Sequence, residues 1–438
     1  MFDRPKSGET AILVHIDLPG ISDRDDLLEF VDLVRSAGVD PLETITGTRR
    51  VPDAKYYIGQ GKATEVKEQV QAREAGVVIF NHTLSPSQER NLEKLFQCRV
   101  LDRTGLILDI FAQRARSFEG KLQVELAQLK HLSTRLVRGW THLERQKGGI
   151  GMRGPGETQL ETDRRLLSER IKYINQRLEK VRRQRAQGRR ARTRAEVPTI
   201  SLVGYTNAGK STLFNRLCGA DVYAADQLFA TLDPTLRRLD LPGVGPVILA
   251  DTVGFVRQLP HELIAAFRST LEETIKADLL LHIVDAQDQE RHLRIEQVND
   301  VLESIGVIDV PQLLVYNKTD LSGEPALRVE DAQGQMRVWC SAITGDGIDI
   351  LVETIGLVLQ PDRVSGWLNI AAKNGRLRAR IYQLGKVVED KADNDGGWWI
   401  NVHIGRAELE RVMSSEGISC HLMEYPDNSQ VAGRRQDQ

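Results

Sequence analysis

Apolar positions in the first hundred residues fall in short blocks separated by amphipathic stretches. Ala11-Ile12-Leu13-Val14-His15-Ile16, Glu43 to Thr48, Val77-Val78-Ile79-Phe80 and Arg99-Val100-Leu101 read as strands, with helices at Asp25 to Ser36, Lys62 to Ala75 and Ser85 to Phe96 between them. Strands alternating with helices predict a small parallel α/β domain over residues 1–110. Ser85-Pro86 supplies an N-cap and a proline at the first helical position. Gly59-Gln60-Gly61-Lys62 reads as a helix-start turn, because a lone G-x-G-K lacks the rest of an anion-binding fingerprint.

From Lys121 the period changes. Leu122, Leu126, Leu129, Leu136, Trp140 and Leu143 follow spacings of four and three, with Ser133 filling the polar position in the seam. Gly148-Gly149-Ile150-Gly151-Met152-Arg153-Gly154-Pro155-Gly156 interrupts the pattern. Leu160, Leu167, Ile171, Ile174, Leu178 and Val181 then resume it, Arg164 being the exception. Two amphipathic helices about a breaker predict an antiparallel hairpin over residues 111–195, each helix covering the stripe of the other. The breaker has nine residues, five of them glycine, where a plain turn takes about two to five.

After Glu196-Val197-Pro198 the blocks again suit a doubly wound sheet, over residues 196–362. Strands fall at Thr199 to Val203, Arg237 to Leu241, Val247 to Ala250, Leu279 to Val284 and Gln312 to Val315. Helices fall at Glu262 to Lys276, His292 to Ser304 and Ile348 to Leu359. Residues 363–426 read as a small α+β domain, with strands at Leu377 to Leu384, Trp398 to Ile404 and Ile418 to Met423, a helix at Ala407 to Ser414, and Trp398-Trp399 as cross-strand packing. The polar residues 427–438 read as a disordered tail.

Composition sharpens this picture in three ways. No apolar run is long enough to cross a bilayer, and Met1-Phe2-Asp3-Arg4-Pro5-Lys6 lacks a signal pattern, so a cytoplasmic protein is expected. The four cysteines, Cys98, Cys218, Cys340 and Cys420, are far apart and predict buried reduced thiols. The net charge of −2 hides a strong asymmetry, because residues 111–194 carry 22 Lys and Arg against 8 Asp and Glu, a net +14, leaving −16 for the rest. One basic segment in an acidic chain points to a polyanion. The run from Arg182 to Arg194 is a solvated helix face, a linker or a set of RNA-backbone contacts, the last being favoured. Glycines that allow close approach, flanked by Arg145, Lys147, Arg164 and Arg165, suit a tip that meets a phosphodiester backbone or enters a narrow cavity.

The most specific chemistry lies in Gly204-Tyr205-Thr206-Asn207-Ala208-Gly209-Lys210-Ser211-Thr212, between an apolar strand and a helix-like Leu213 to Leu217. G-x-x-x-x-G-K-S in that context is a phosphate-binding loop. Its backbone N–H groups face an anion at a helix N-terminus, Lys210 reaches the outer phosphates, and the Ser211 hydroxyl is a Mg2+ ligand. Asp251-Thr252-Val253-Gly254 places a carboxylate for Mg2+ and the Gly254 N–H for a γ-phosphate. In Asn317-Lys318-Thr319-Asp320, the Asp320 carboxylate can accept from guanine N1–H and the 2-amino group, which selects GTP over ATP. Ser341-Ala342 offers an N–H toward guanine O6, and Thr231, within Phe229 to Thr235, can ligate Mg2+ only beside a γ-phosphate. Lys210, Thr231 and Gly254 are the candidate catalytic residues. Phe255 stands where many GTPases carry a water-orienting glutamine and has no atom for that task, which predicts slow hydrolysis unless a partner assists.

These motifs, with Tyr57 to Lys62, Asp102-Arg103-Thr104-Gly105 and the tip segment Gly148 to Arg165, resemble the HflX family of ribosome-associated GTPases. The resemblance implies a GTP-hydrolysing, Mg2+-dependent protein that binds the large ribosomal subunit and its rRNA and separates stalled or stress-idled ribosomes. In that reading Gly149, Gly151, Arg153, Gly154, Pro155, Gly156, Arg164 and Arg165 form the RNA-contacting tip. A monomer is expected. A nucleotide-dependent rRNA-binding scaffold without splitting activity, or a switch for a protein partner, remains the alternative.

Overall fold

Four parallel strands, β1 (Thr10–Asp17), β2 (Asp40–Thr48), β3 (Val77–Phe80) and β4 (Arg99–Leu101), form the N-terminal sheet in the order β2-β1-β3-β4. The computed structural model describes residues 8–19, 24–139, 155–194, 197–219, 228–229, 231–242, 244–257, 271–307, 309–332, 334–359, 363–384, 386–393, 396–405, 409 and 411–413. Helices α1 (Arg24–Ser36), α2 (Gln60–Arg73), α3 (Pro86–Phe96) and α4 (Arg103–Arg114) complete the N-terminal α/β layers. Phe30, Leu33, Leu106 and Phe111 build one core, and Ile58, Val66, Leu92 and Phe96 another. The expected cap at Ser85 is a full capping box with Gln88.

Helix α4 was not expected from the pattern. Leu106, Ile107, Leu108, Ile110 and Phe111 are all buried, so the helix is apolar around most of its circumference and shows no period. Its N-cap is Asp102, which accepts from the Gly105 N–H at 2.8 Å.

Helices α5 (Phe118–Gly139) and α6 (Pro155–Arg194) form the hairpin, with α6 running straight through the arginine run. Leu122, Leu126 and Ile174 pack with Leu129, Ile171 and Leu178, and the pair is antiparallel, since Phe118 meets Arg177 while Glu125, further along α5, meets the earlier Arg170 of α6. Arg135 of α5 donates to Asp102 at 2.7 Å and fastens the hairpin to the N-terminal domain. Of the expected tip residues, Gly149, Gly151, Arg153 and Gly154 lie outside the described residues, while Pro155 and Gly156 open α6. Arg164 and Arg165 are exposed on α6, Arg165 being 3.8 Å from Glu169.

The third sheet is built from β5 (Thr199–Gly204), β6 (Thr235–Leu241), β7 (Gly245–Asp251), β8 (Leu279–Asp285), β9 (Gln312–Asn317), β10 (Arg328–Glu330) and β11 (Met336–Trp339), in the order β10-β11-β9-β8-β5-β7-β6. β5 pairs in parallel with both β7 and β8, and every one of its residues is buried, as a strand covered on both faces requires. In chain order the helices of this stretch are α7 (Lys210–Cys218), α8 (Glu272–Ile275), α9 (Arg291–Ser304), α10 (Thr319–Ser322) and α11 (Ile348–Leu359). The first part of the expected helix from Glu262 lies outside the described residues.

A separate C-terminal unit holds the antiparallel strands β12 (Arg363–Ile370), β13 (Lys386–Ala392) and β14 (Trp398–Gly405), in the order β12-β14-β13. The strand expected at Leu377 to Leu384 is instead helix α12 (Gly375–Leu384). Leu377-Arg378-Ala379-Arg380-Ile381 looks alternating, but only Leu377 and Ile381, four apart, are buried, against Leu368 and Ile400. Trp398 packs on that core, with the Arg378 guanidinium 5.0 Å from its ring. Leu409 and residues 411–413 are helical, whereas the expected strand Ile418 to Met423 and the tail lie outside the described residues.

Cys98 and Cys218 are half-buried rather than buried, and Cys340 is buried; all three are free. Burial pushes the Cys98 thiol up to about 11 and the Cys340 thiol up to about 12. Among the described residues no helix is long and apolar enough to cross a membrane.

Candidate nucleotide site

The loop from β5 to α7 needs glycine at two places. Gly204 has φ 141°, and a Cβ on it would lie 2.2 Å from the Ile283 carbonyl oxygen. Gly209 has φ 90°, and a Cβ would lie 2.2 Å from Asn317 Nδ2. The loop is pinned on its outer side by Thr206 N–H, which donates to the Phe255 carbonyl at 2.8 Å, while Phe255 N–H donates to the Gly204 carbonyl at 3.2 Å. The ring of Phe255 is buried with Val203, Leu280 and Val298, facing the core rather than the site.

Lys210 is buried at the start of α7, with Nζ donating to the Tyr205 carbonyl at 2.6 Å. Burial lowers its ammonium to about 8; the Asp251 carboxylate opposes that shift and Lys318 adds to it. Burial outweighs the Asp251 carboxylate, and a phosphate beside Lys210 would add negative charge that favours the ammonium. Three hard oxygen groups converge beside it. Ser211 Oγ and Thr231 Oγ1 lie 2.8 Å apart, and they donate to Asp251 Oδ2 at 2.8 Å and 3.0 Å. Asp251 Oδ1 and Thr206 Oγ1 are buried and have no protein partner. Burial raises the Asp251 carboxyl despite the two hydroxyls and Lys210. An orphaned carboxylate oxygen among hydroxyls is the donor set of a Mg2+ site completed by phosphate and water. Among the described residues no cluster of three or more His, Cys, Asp or Glu could hold a metal.

The segment Asn317-Lys318-Thr319-Asp320 is organised around Asn317 at the end of β9. Its Nδ2 donates to the Ala208 carbonyl at 2.9 Å and its Oδ1 accepts from Ala342 N–H at 2.9 Å, so this side chain staples the phosphate loop to the loop carrying Ser341 and Ala342. Asp320 is exposed, and one of its oxygens accepts from the Ser341 hydroxyl at 2.6 Å. Lys318, at φ 69°, pairs with Asp285 at 2.8 Å. The structure thus brings Gly204 to Thr212, Thr231, Asp251, Gly254, Asn317 to Asp320, Ser341 and Ala342 to one end of the sheet. The tip residues belong to the hairpin. At Gly254 a Cβ would lie 2.8 Å from the Thr206 methyl and 2.9 Å from Lys210 Nζ, so this backbone approaches the phosphate loop as a γ-phosphate contact needs.

Sequence reasoning missed a buried polar network behind the loop. The Tyr205 hydroxyl donates to Glu29 of α1 and accepts from the Arg257 N–H at 2.8 Å, while Arg103 of α4 donates to the Arg257 carbonyl at 3.2 Å and to Glu29 at 2.5 Å. Arg257 itself donates to Glu290 at 2.7 Å. Burial, reinforced by the Glu29 charge, holds the Tyr205 phenol well above its usual range. The partners are separated by 33 to 176 residues in the chain, and no local pattern announces such contacts.

Fold and site together define a P-loop GTP-binding protein. Family models match in three consecutive stretches, described as GTP-binding GTPase N-terminal over residues 24–112, GTP-binding GTPase middle region over 114–192 and 50S ribosome-binding GTPase over 199–318. The chain is 57% identical over 418 residues to GTPase HflX of Escherichia coli (strain K12), covering 95% of this chain and 98% of that one. It is 45% identical to GTPase HflX of Magnetococcus marinus, covering 90% and 92%. The solved complex of SsGBP with GDP aligns with TM-score 0.46 and 25% identity, over 81% of this chain and 99% of that one. The chain belongs to the HflX GTPase family.

Proposed function

We propose that this protein is a cytoplasmic, monomeric GTPase that binds the large ribosomal subunit through its basic hairpin and separates the subunits of stalled or stress-idled ribosomes, with hydrolysis resetting it. The observation that carries this reading is the joining, in one chain, of a guanine-nucleotide pocket to a rod with a net charge of +14 over residues 111–194. The relatives' names and the family description that includes 50S binding support it.

In the pocket, Gly204 and Thr206 to Thr212 wrap the phosphates, Lys210 neutralises them, and Asp320, Ser341 and Ala342 read the base while Asn317 and Lys318 hold that reader in place. Ser211, Thr231 and Asp251 would hold Mg2+, which when bound would draw charge from the β- and γ-phosphates. Thr231 and Gly254 contact only a triphosphate state, so their release on hydrolysis switches affinity for the ribosome. Phe255 faces the core, so the water is oriented by another group, and turnover is slow alone and accelerated by the ribosome. The glycine-rich tip, Gly149 to Gly156 with Arg164 and Arg165, meets rRNA.

Light scattering of intact ribosomes mixed with the protein and a non-hydrolysable GTP analogue tests this. A fall in scattering is expected. Co-sedimentation with one subunit at constant scattering would replace this reading with that of an rRNA-binding scaffold, and fast turnover without ribosomes would remove the partner-assisted mechanism.

A further inference from the structure

Thr231 is bracketed by contacts to the N-terminal part of the chain. Two residues after it, the Asp233 carboxylate sits at the start of α5, accepting from the backbone N–H of Arg116 at 2.9 Å and of Ser117 at 2.7 Å, and from the Ser117 hydroxyl. That hydroxyl in turn accepts from the Gly120 N–H at 2.8 Å. A carboxylate placed there meets N–H groups with no helical partner and the positive end of the helix dipole. Leu232 is buried in the core that holds Phe30 and Leu106. Two residues before Thr231, Phe229 is buried at φ 56° with its ring edge-on to Phe111 of α4, centroids 4.6 Å apart. Leu228 N–H donates to the Ser36 hydroxyl at 3.2 Å.

We propose that Asp233 is a positioning residue for GTP hydrolysis: by capping α5 it holds Thr231 at the metal and γ-phosphate position, and it makes the first helix of the hairpin the element that registers the nucleotide. The inference rests on the GTPase reading above. Two residues span at most about 7 Å of chain, so Thr231 cannot move far from its site without drawing the cap off α5. Coupling of this kind is reciprocal. What loosens the first turn of α5 weakens the triphosphate state, and loss of the γ-phosphate loosens that turn. GDP, which offers Thr231 no γ-phosphate, is not coupled to it.

Three variants approach the cap from different sides. Asp233→Asn removes the charge, and Ser117→Ala removes the bridging hydroxyl. Gly120→Ala places a Cβ where it would lie 2.1 Å from Asp233 Oδ1, evicting the carboxylate while raising helix propensity. For each, affinity for GDP and for a non-hydrolysable GTP analogue is measured at fixed Mg2+, with kcat, KM and amide exchange over residues 116–121. GDP affinity is expected to hold within about twofold, while analogue affinity and kcat fall about tenfold, inside the range of ordinary coupling between sites. Analogue-induced protection of residues 116–121, present in the parent chain, is expected to vanish. Analogue affinity and exchange equal to the parent's would overturn the proposal, and so would equal losses for GDP and the analogue, which would signify a damaged pocket. If the parent itself binds no guanine nucleotide, the GTPase reading falls first and takes the cap's role with it; a parent that binds and turns over beside unaltered variants sinks only the proposal.

Discussion

Lys210 carries a pH dependence whose sign is fixed by its surroundings. Its folded value of about 8 lies below the ordinary 10.5, so in the nucleotide-free chain its contribution to stability is present above 10.5 and is lost as pH falls through about 8. Nucleotide binding works the other way, because bound phosphate favours the ammonium and binding takes up a proton when the pH exceeds about 8. GTP affinity is therefore expected to fall above that pH, approaching about tenfold per pH unit. Titration calorimetry at pH 9 in buffers of different ionisation enthalpy should show proton uptake, and Lys210→Arg should abolish it. Phe255 gives a second prediction at this scale. Since its ring packs with Val203, Leu280 and Val298, Phe255→Gln would bury an amide in an apolar core rather than aim it at water. Turnover is expected not to rise, and stability to fall by about 3 kcal/mol, read from urea unfolding beside a single-turnover assay.

The hairpin holds together by a narrow seam in which Ile174 is wholly buried against Leu122 and Leu126. Ile174→Ala is expected to cost about 2–5 kcal/mol, seen as faster amide exchange along α5 and α6, whereas breaking the exposed Arg170 to Glu125 pair, 2.6 Å apart, should cost less than about 1 kcal/mol. Elements of this kind were legible in the chain because one face is apolar and the other polar. The hairpin seam carries a clear period and the strand-loop-helix around Gly204 a fixed spacing, while β1 and β3 stand out as short unbroken apolar runs buried on both faces. Helix α4 was not legible, being buried nearly all round, and α12 was misread because its arginines alternate with apolar residues over five positions. The site followed the same rule. Residues set by local spacing, from Gly204 to Ser211 and from Asn317 to Asp320, were visible, but Glu29 and Arg257 reach Tyr205, and Arg103 reaches both of them, only through tertiary contact. The stapling role of Asn317 was hidden for the same reason: its partners are two backbone groups, 109 and 25 residues away in the chain.

In the molecule taken whole, charge is segregated: +14 in residues 111–194 against −16 elsewhere. Acidic surroundings repel a polyanion, so binding should concentrate on the hairpin, where α6 leaves Arg164, Arg165, Arg170 and Arg177 exposed or ringed by aromatic faces. Such contacts act by displacing counterions, and each removed phosphate contact lowers the slope of log affinity against log salt by roughly 0.7 to 0.9. Replacing Arg153, Arg164 and Arg165 with glutamine is expected to reduce the slope for large-subunit binding by about 2 to 3 while leaving GTP affinity unchanged, because these positions are remote in sequence from every pocket residue. Filter binding at several salt concentrations measures the slope, and a nucleotide titration on the same preparations checks the pocket. A slope unaltered by the triple change would place the RNA contacts elsewhere on the rod, with the run from Arg182 to Arg194 the next segment to neutralise. A slope lowered together with GTP affinity would mean that the arginines of the hairpin and the pocket are energetically coupled before any ribosome is present, against the independence expected here.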